Sequence, residues 1–250
     1  PKRAAELARH IDLVLPLFPF HPPLMHAAGM RCDFVRHPVV TDPIASPVEA
    51  AAWAGDGPLV MLLPGSRRGE IARLLPRFGQ AAALIAQARP DVRFALPTTA
   101  NVYDGVVAGV AEWDVPVSVL DADQKDEKRG LFAAADVALA ASGTVSLELA
   151  ANDTPMVIAY DMGLLSRLII GAMLRVDTLT LVNLVSDTHD VPEFIGKNCK
   201  VELIAPALAK ILENPQAQDY AMQTTMDRLG RGDTTLADRA AKAVLARLSL

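Results

Sequence analysis

Cysteine is nearly missing from this 250-residue chain. Cys32 and Cys199 stand far apart without partners at metal-ligand spacing, so neither a disulfide framework nor a zinc site is indicated, and a reducing cytoplasm is the expected setting. Basic blocks are missing too. The 24 Lys and Arg against 29 Asp and Glu give a formal net charge of −5, and their dispersal argues against general nucleic-acid binding. No uninterrupted apolar run approaches the roughly 20 residues of a bilayer-spanning helix, and the opening PKRAAELARH lacks the apolar core of a secretory signal. Neither a Walker loop nor a Gly-x-Gly-x-x-Gly fingerprint occurs, and no internal repeat of fixed period is present. The chain opens at Pro1 inside a helical pattern, so a fragment or a processed chain is expected.

What is present is apolar residue in quantity, 51% of the chain, enough to bury substantial cores in one large or two ordinary domains. Residues 1–45 read as helix, strand (Ile11 to Leu17), loop, helix and a short strand at Phe34-Val35, the end of a domain begun elsewhere. From Arg36 to Pro58, Pro38, Pro43, Pro47 and Pro58 interrupt any regular element, which marks an interdomain linker. Beyond it, strands are expected at Leu59 to Leu63, Val92 to Leu96, Val117 to Leu120, Val137 to Ala141 and Pro155 to Tyr160, alternating with helical patterns. Such alternation implies βαβ units with right-handed crossovers: an α/β, Rossmann-like parallel sheet with helices on both faces. The expected division is 1–45, then a domain over 46–225, then C-terminal helices over 226–250 that return towards the first domain.

The segment LLPGSRRGE, Leu62 to Glu70, carries the most chemistry. An apolar strand stops at Pro64-Gly65 and presents Ser66, Arg67 and Arg68 at the mouth of a helix. Unpaired N–H groups and the helix macrodipole favour an anion at such a place, and two guanidiniums point to phosphate. The segment SGTVSLELA, Ser142 to Ala150, repeats the idea after the run Val137 to Ala141. In an open α/β sheet both loops lie at the carboxyl edge, where ligands bind. Glu148 lies four residues past Thr144, which is the wrong spacing for a capping box, so its carboxylate is available to a ribose diol.

Weaker signals compete. Asp121-Ala122-Asp123 at a strand end has the spacing of a metal–diphosphate site, yet the mixed charges QKDEKRG after it read as a solvated loop, and no metal is expected. His37, in RHP, is a further candidate for a phosphate or sugar contact because clefts favour domain boundaries. Met162 to Val176 is apolar over much of its circumference with Arg167 and Arg175, which suits either a core helix with snorkelling arginines or one lying on anionic lipid. Asn183 and Glu193 follow in a loop-rich region.

LLPGSRRGE, FALPTTAN, AAADVALAASGTVSLELA, PMVIAY and the region Asn183 to Glu193 together resemble lipid-A-disaccharide synthase, over nearly the whole chain. The resemblance implies the donor-binding half of a GT-B glycosyltransferase lacking most of its N-terminal domain. It implies inverting transfer of 2,3-diacylglucosamine from UDP to 2,3-diacylglucosamine 1-phosphate, giving a β-1,6 disaccharide 1-phosphate and UDP, without cofactor or metal. Ser66, Arg67 and Glu70 match its first phosphate-side motif, Ser142, Gly143, Thr144 and Glu148 its second, and Asn183 and Glu193 its later donor loop. The roles implied are phosphate contact for Ser66, Arg67, Ser142 and Thr144, close backbone approach for Gly143, and ribose for Glu148. The catalytic base is expected on the missing domain, and the location implied is the cytoplasm, at the inner-membrane surface. This chain departs from the pattern at Arg36, where the family usually has Gly, at His21 for Glu, at Val182 for Pro, and between Ser186 and Asp190, which lacks Gly-Arg-Glu. Another UDP-N-acetylglucosamine enzyme, a peptidoglycan glycosyltransferase or a 2-epimerase, and a non-catalytic nucleotide-sugar module are the alternatives.

Overall fold

The computed structural model of the protein describes residues 2–162, 177–233 and 235–248. Six parallel strands form one sheet in the order β3-β2-β1-β4-β5-β6. They are β1 Leu59–Leu63, β2 Arg93–Pro97, β3 Val117–Leu120, β4 Val137–Ala140, β5 Met156–Tyr160 and β6 Glu193–Ile195. The helices are α1 Lys2–Leu7, α2 His21–His26, α3 Pro47–Ala51, α4 Arg68–Ala88, α5 Tyr103–Val110, α6 Lys125–Ala134, α7 Val145–Ala151, α8 Leu181–Ser186, α9 Val201–Glu213, α10 Asp219–Leu229 and α11 Leu236–Leu248. The expected fold class is borne out, and five of the strands lie within a residue of where the apolar runs put them.

Strand alternation divides the core into two layers. Leu59, Met61, Leu63, Ala138, Ala140, Met156 and Ile158 face one side, packed under α6, α7, α8 and α10. Val60, Leu62, Val137, Leu139, Val157 and Ala159 face the other, under α4, α5 and α9. Helix α4 shows why it lies there: Ile71, Leu74, Leu75, Phe78, Ala81, Ala82 and Ile85 recur at three- and four-residue steps and are all buried. Phe78 is fully enclosed, and burial of a side chain of that size stabilises the fold by about 1.5–3 kcal/mol.

Three expectations for the first 58 residues are corrected. Ile11 to Leu17 makes no strand, only a single bridge from Val14 to Cys32, because Pro16 and Pro19 remove ladder donors. Phe34-Val35 makes none either. The linker contains regular structure: a 3-10 turn at Pro38–Thr41 and the helix α3. Pro47 does not interrupt α3 but starts it, since a first-turn proline lacks only an N–H that would be unpaired anyway. Ser46 and Glu49 complete a capping box, with Glu49 N–H donating to Ser46 Oγ at 3.3 Å and Ser46 N–H to Glu49 Oε2 at 2.7 Å. Arg129 of α6 then grips Glu49, so hydrogen bonds from Arg129 and Ser46 hold that carboxyl at about 2, well below its ordinary 4.5. The stretch Met162 to Val176 lies, Met162 apart, outside the described residues. Among the described residues no helix is long and apolar enough to cross a membrane.

Candidate functional site

Strands β1 and β4 are neighbours, yet the chain leaves β1 towards α4 on one face and β4 towards α7 on the other. That divergence is the switch point of the sheet, and it opens a crevice at the carboxyl ends of the two strands. The first wall is the turn Pro64–Arg67. Gly65 sits at φ +111, and a Cβ there would meet Glu70 Oε2 at 2.6 Å, so both backbone and space require glycine. Glu70 is buried under the turn and accepts from Ser66 N–H at 3.2 Å, Arg67 N–H at 3.3 Å and the Arg67 guanidinium at 2.8 Å. The turn amides at Ser66 and Arg67 are therefore spent on Glu70, contrary to the expectation that they are free for a ligand. What the turn offers instead is the Arg67 side chain, 80% exposed, with Arg68 and Gly69 N–H groups that meet no acceptor among the described residues. Asn101 ties the outer edge by donating from Nδ2 to the Ser66 carbonyl at 2.8 Å.

The second wall is Ser142–Thr144 and the start of α7. Ser146, Leu147 and Glu148 N–H groups turn back to Gly143 and Thr144, whereas those of Ser142, Gly143, Thr144 and Val145 meet no acceptor among the described residues. Gly143 holds φ +156, and a Cβ there would meet nothing within 4 Å, so its missing side chain leaves the backbone open to close approach. Both walls line one cleft of about 480 Å³, which contains Ser66, Arg67, Glu70, Ser142, Gly143, Thr144 and Glu148. A second cavity of about 260 Å³ adjoins it, between the linker (Val39, Asp42, Pro43, Ile44), α6 and α7. Lys128, Phe132 and Glu148 belong to both. Asp121 lies outside both cavities and accepts from the N–H of Ala122.

The family model described as lipid-A-disaccharide synthetase matches residues 1–246. The chain belongs to the lipid-A-disaccharide synthetase family. It is 51% identical to the lipid-A-disaccharide synthase of Ruegeria pomeroyi over 259 residues, covering 99% of this chain and 65% of that protein. With the synthase of Rhodospirillum centenum it shares 39% identity, over 98% of this chain and 63% of that one. The chain thus spans just under two thirds of the length of these relatives. Among solved structures, an S. aureus MnaA–UDP co-structure is similar at TM-score 0.67 and 13% identity, over 98% of this chain and 61% of that one. A putative UDP-N-acetylglucosamine 2-epimerase from Listeria monocytogenes gives 0.64 and 14%, over 95% and 60%. These likenesses are of fold, the Rossmann-like half of a GT-B architecture.

For this member of the lipid-A-disaccharide synthetase family, two candidate residues lie away from the cleft lining. Asn183 is 1% exposed in α8, donates to the Val191 carbonyl at 2.9 Å and accepts from Val191 N–H at 3.1 Å. Glu193 opens β6 and accepts from Thr178 Oγ1, Leu179 N–H, Thr180 N–H and Thr180 Oγ1 at 2.7–3.0 Å. Both staple 178–193 together. His37 lines neither cavity, but it abuts the smaller one: its Nδ1 accepts from Val39 N–H at 3.1 Å, which leaves Nε2 to carry the proton. Burial holds its pKa below the usual 6.5 against the opposing pull of Asp42. Arg36 takes φ +71, the left-handed region that favours glycine, and is held by an ion pair to Asp233 at 3.2 Å. His21 packs edge-on against Phe18 and Phe20.

Proposed function

We propose that this chain is the donor-binding half of a lipid-A-disaccharide synthase, which transfers 2,3-diacylglucosamine from UDP to 2,3-diacylglucosamine 1-phosphate with inversion and releases UDP. One observation carries the reading: two loops from adjacent strands meet in one cleft at the sheet's switch point, with a guanidinium on one wall and, on the other, open amides beside a Glu148 carboxylate that has no partner among the described residues. Departing UDP gathers negative charge. Fixed donors aimed at that charge stabilise it without a cation, because they are in place before it develops. In this assignment Arg67 and the Ser142–Val145 amides receive the diphosphate, and Ser66 lends its hydroxyl to it. Gly143 admits it to the backbone, and Glu148 accepts from the ribose hydroxyls. The smaller cavity behind Glu148 takes the base.

Glu70 serves the donor indirectly, by holding the Arg67 turn. Asn183 and Glu193 keep the later donor loop in shape. His37 is assigned a sugar contact through Nε2, across the boundary between residues 1–45 and 46–225, while 226–250 reach back to the first domain. The base that activates the acceptor hydroxyl and most contacts to the acceptor lipid are assigned to the part of the enzyme outside this chain, and the enzyme to the cytoplasmic surface of the membrane. Calorimetry with UDP tests the reading: binding that Glu148→Ala weakens at least tenfold is the expected result, and no UDP binding by the folded chain overturns it.

A further inference from the structure

Lys128 stands out from the other charges of the run QKDEKRG. Arg129, beside it, is engaged with Glu49 and Asp126. Lys128 is half-buried on α6, and among the described residues no carboxylate lies within 4.0 Å of its ammonium. Its Nζ instead stands over the Phe132 ring, 5.5 Å from the centroid, a cation–π contact that holds the side chain in place without neutralising it. Phe132 is itself buried to 4% exposure, so the platform is rigid. Lys128 also lines both the 480 Å³ cleft and the 260 Å³ cavity, with Glu148 on their shared boundary. Arg67 occupies only the larger one.

This placement divides the labour between the two cations. A nucleoside 5′-diphosphate lying along the cleft, its ribose at Glu148 and its base in the smaller cavity, puts its inner phosphate at the junction of the two cavities and its outer phosphate towards Arg67. We propose that Lys128 is a donor-binding residue that pairs with the inner, α-phosphate, while Arg67 serves the outer one. The assignment rests on the nucleotide-sugar reading above and adds to it a second cation on the α6 wall. Among the described residues neither the Lys128 ammonium nor the Glu148 carboxylate has an ion-pair partner, which makes the junction attractive to a ligand with both phosphate and hydroxyls, and less so to a free polyanion.

The test is calorimetry on the full chain with uridine, UMP and UDP, comparing Lys128→Met, Lys128→Arg and Arg67→Met. Met keeps the packing on Phe132 and is a good helix former, so folding should survive, and a thermal melt checks it. Lys128→Gln replaces it if it does not. The expected result is that Lys128→Met weakens UMP and UDP alike by about tenfold or more, leaves uridine unchanged, and is largely rescued by Lys128→Arg. Arg67→Met should weaken UDP and spare UMP. Loss confined to UDP in Lys128→Met, an equal loss of uridine, or no loss at all overturns the assignment. Should uridine bind too weakly to measure, the comparison of UMP with UDP decides alone. Failure of the unaltered chain to bind UDP would instead strike the functional reading on which this rests.

Discussion

Replacing Glu70 separates a scaffolding carboxylate from a ligand-contacting one. In Glu70→Ala the N–H groups of Ser66 and Arg67 lose the acceptor they share at 3.2 and 3.3 Å, and Arg67 loses its 2.8 Å partner. A hydrogen bond to a charged group is worth about 1.5–3 kcal/mol when enclosed, but both residues are exposed enough for water to substitute, which brings each to about 1 kcal/mol. The Arg67 ion pair adds little to this, because the guanidinium is largely in solvent. The turn is thus destabilised by about 2 kcal/mol. A nucleotide that needs the turn in place must supply this on binding, which raises the Kd for UDP about 30-fold. The melting temperature should fall by only about 4–8 °C, since the helix beneath is untouched. Titration calorimetry reads the first quantity and calorimetric melting the second. Gly65→Ala provides the independent arm: its Cβ would displace the same carboxylate and should reproduce the loss of affinity. If folded Glu70→Ala binds UDP within about threefold of the unaltered chain, the scaffolding argument fails.

Three further outcomes follow from the geometry. Gly143→Val meets open space but must hold φ +156, a strain of about 1–3 kcal/mol, so it should lower the melting temperature by about 2–12 °C and reduce UDP affinity of the folded variant more than tenfold by occupying the ligand's approach; unchanged affinity by calorimetry refutes it. Asn183→Ala strips both partners from Val191 inside the core and should cost about 3 kcal/mol in urea unfolding, while the folded fraction binds UDP normally; a selective loss of UDP binding at full stability would make Asn183 a ligand contact instead. Glu49 and Asp233 are both held at about 2, below their ordinary 4.5 and 3.8, by Arg129 and Ser46 in one case and by Thr235, Arg239 and Arg36 in the other. Across that window the unfolded chain binds more protons than the folded one, so both contribute stability above pH 4.5 that is lost as pH falls towards 2. Urea midpoints of the double variant Glu49→Gln/Asp233→Asn should then vary less with pH in that range; an unchanged slope overturns the attribution.

Much of the candidate cleft is legible in the sequence because its parts are local. An apolar run ending in Pro-Gly or Ser-Gly gives a strand, a stop and a helix start, and βαβ topology forces both loops to one edge. Strand β6 was not legible: three half-buried residues between Pro192 and Gly196 carry no periodicity. Helix α3 was hidden by its prolines, although the Ser46–Glu49 spacing was present to be read. The standing of the two glutamates depends on a three-residue against a four-residue step: Glu70, three past Arg67, folds back under its own turn, whereas Glu148, four past Thr144, leaves its carboxylate without a partner among the described residues. Lys128 was beyond reach of the sequence, because a lysine in a run of mixed charge reads as solvated until Phe132 and the β4 loop are seen beside it.

The two halves of the cleft rest on different foundations. The arginine side stands on α4 and the layer around Phe78, while the glycine side stands on α7 and the layer around Leu147, with the sheet between. A methylene lost beneath one side would tilt that side alone and alter the width of the gap by fractions of an ångström. Drift in the interior of either layer is therefore a route by which the width of the cleft can be retuned while every residue that lines it stays the same.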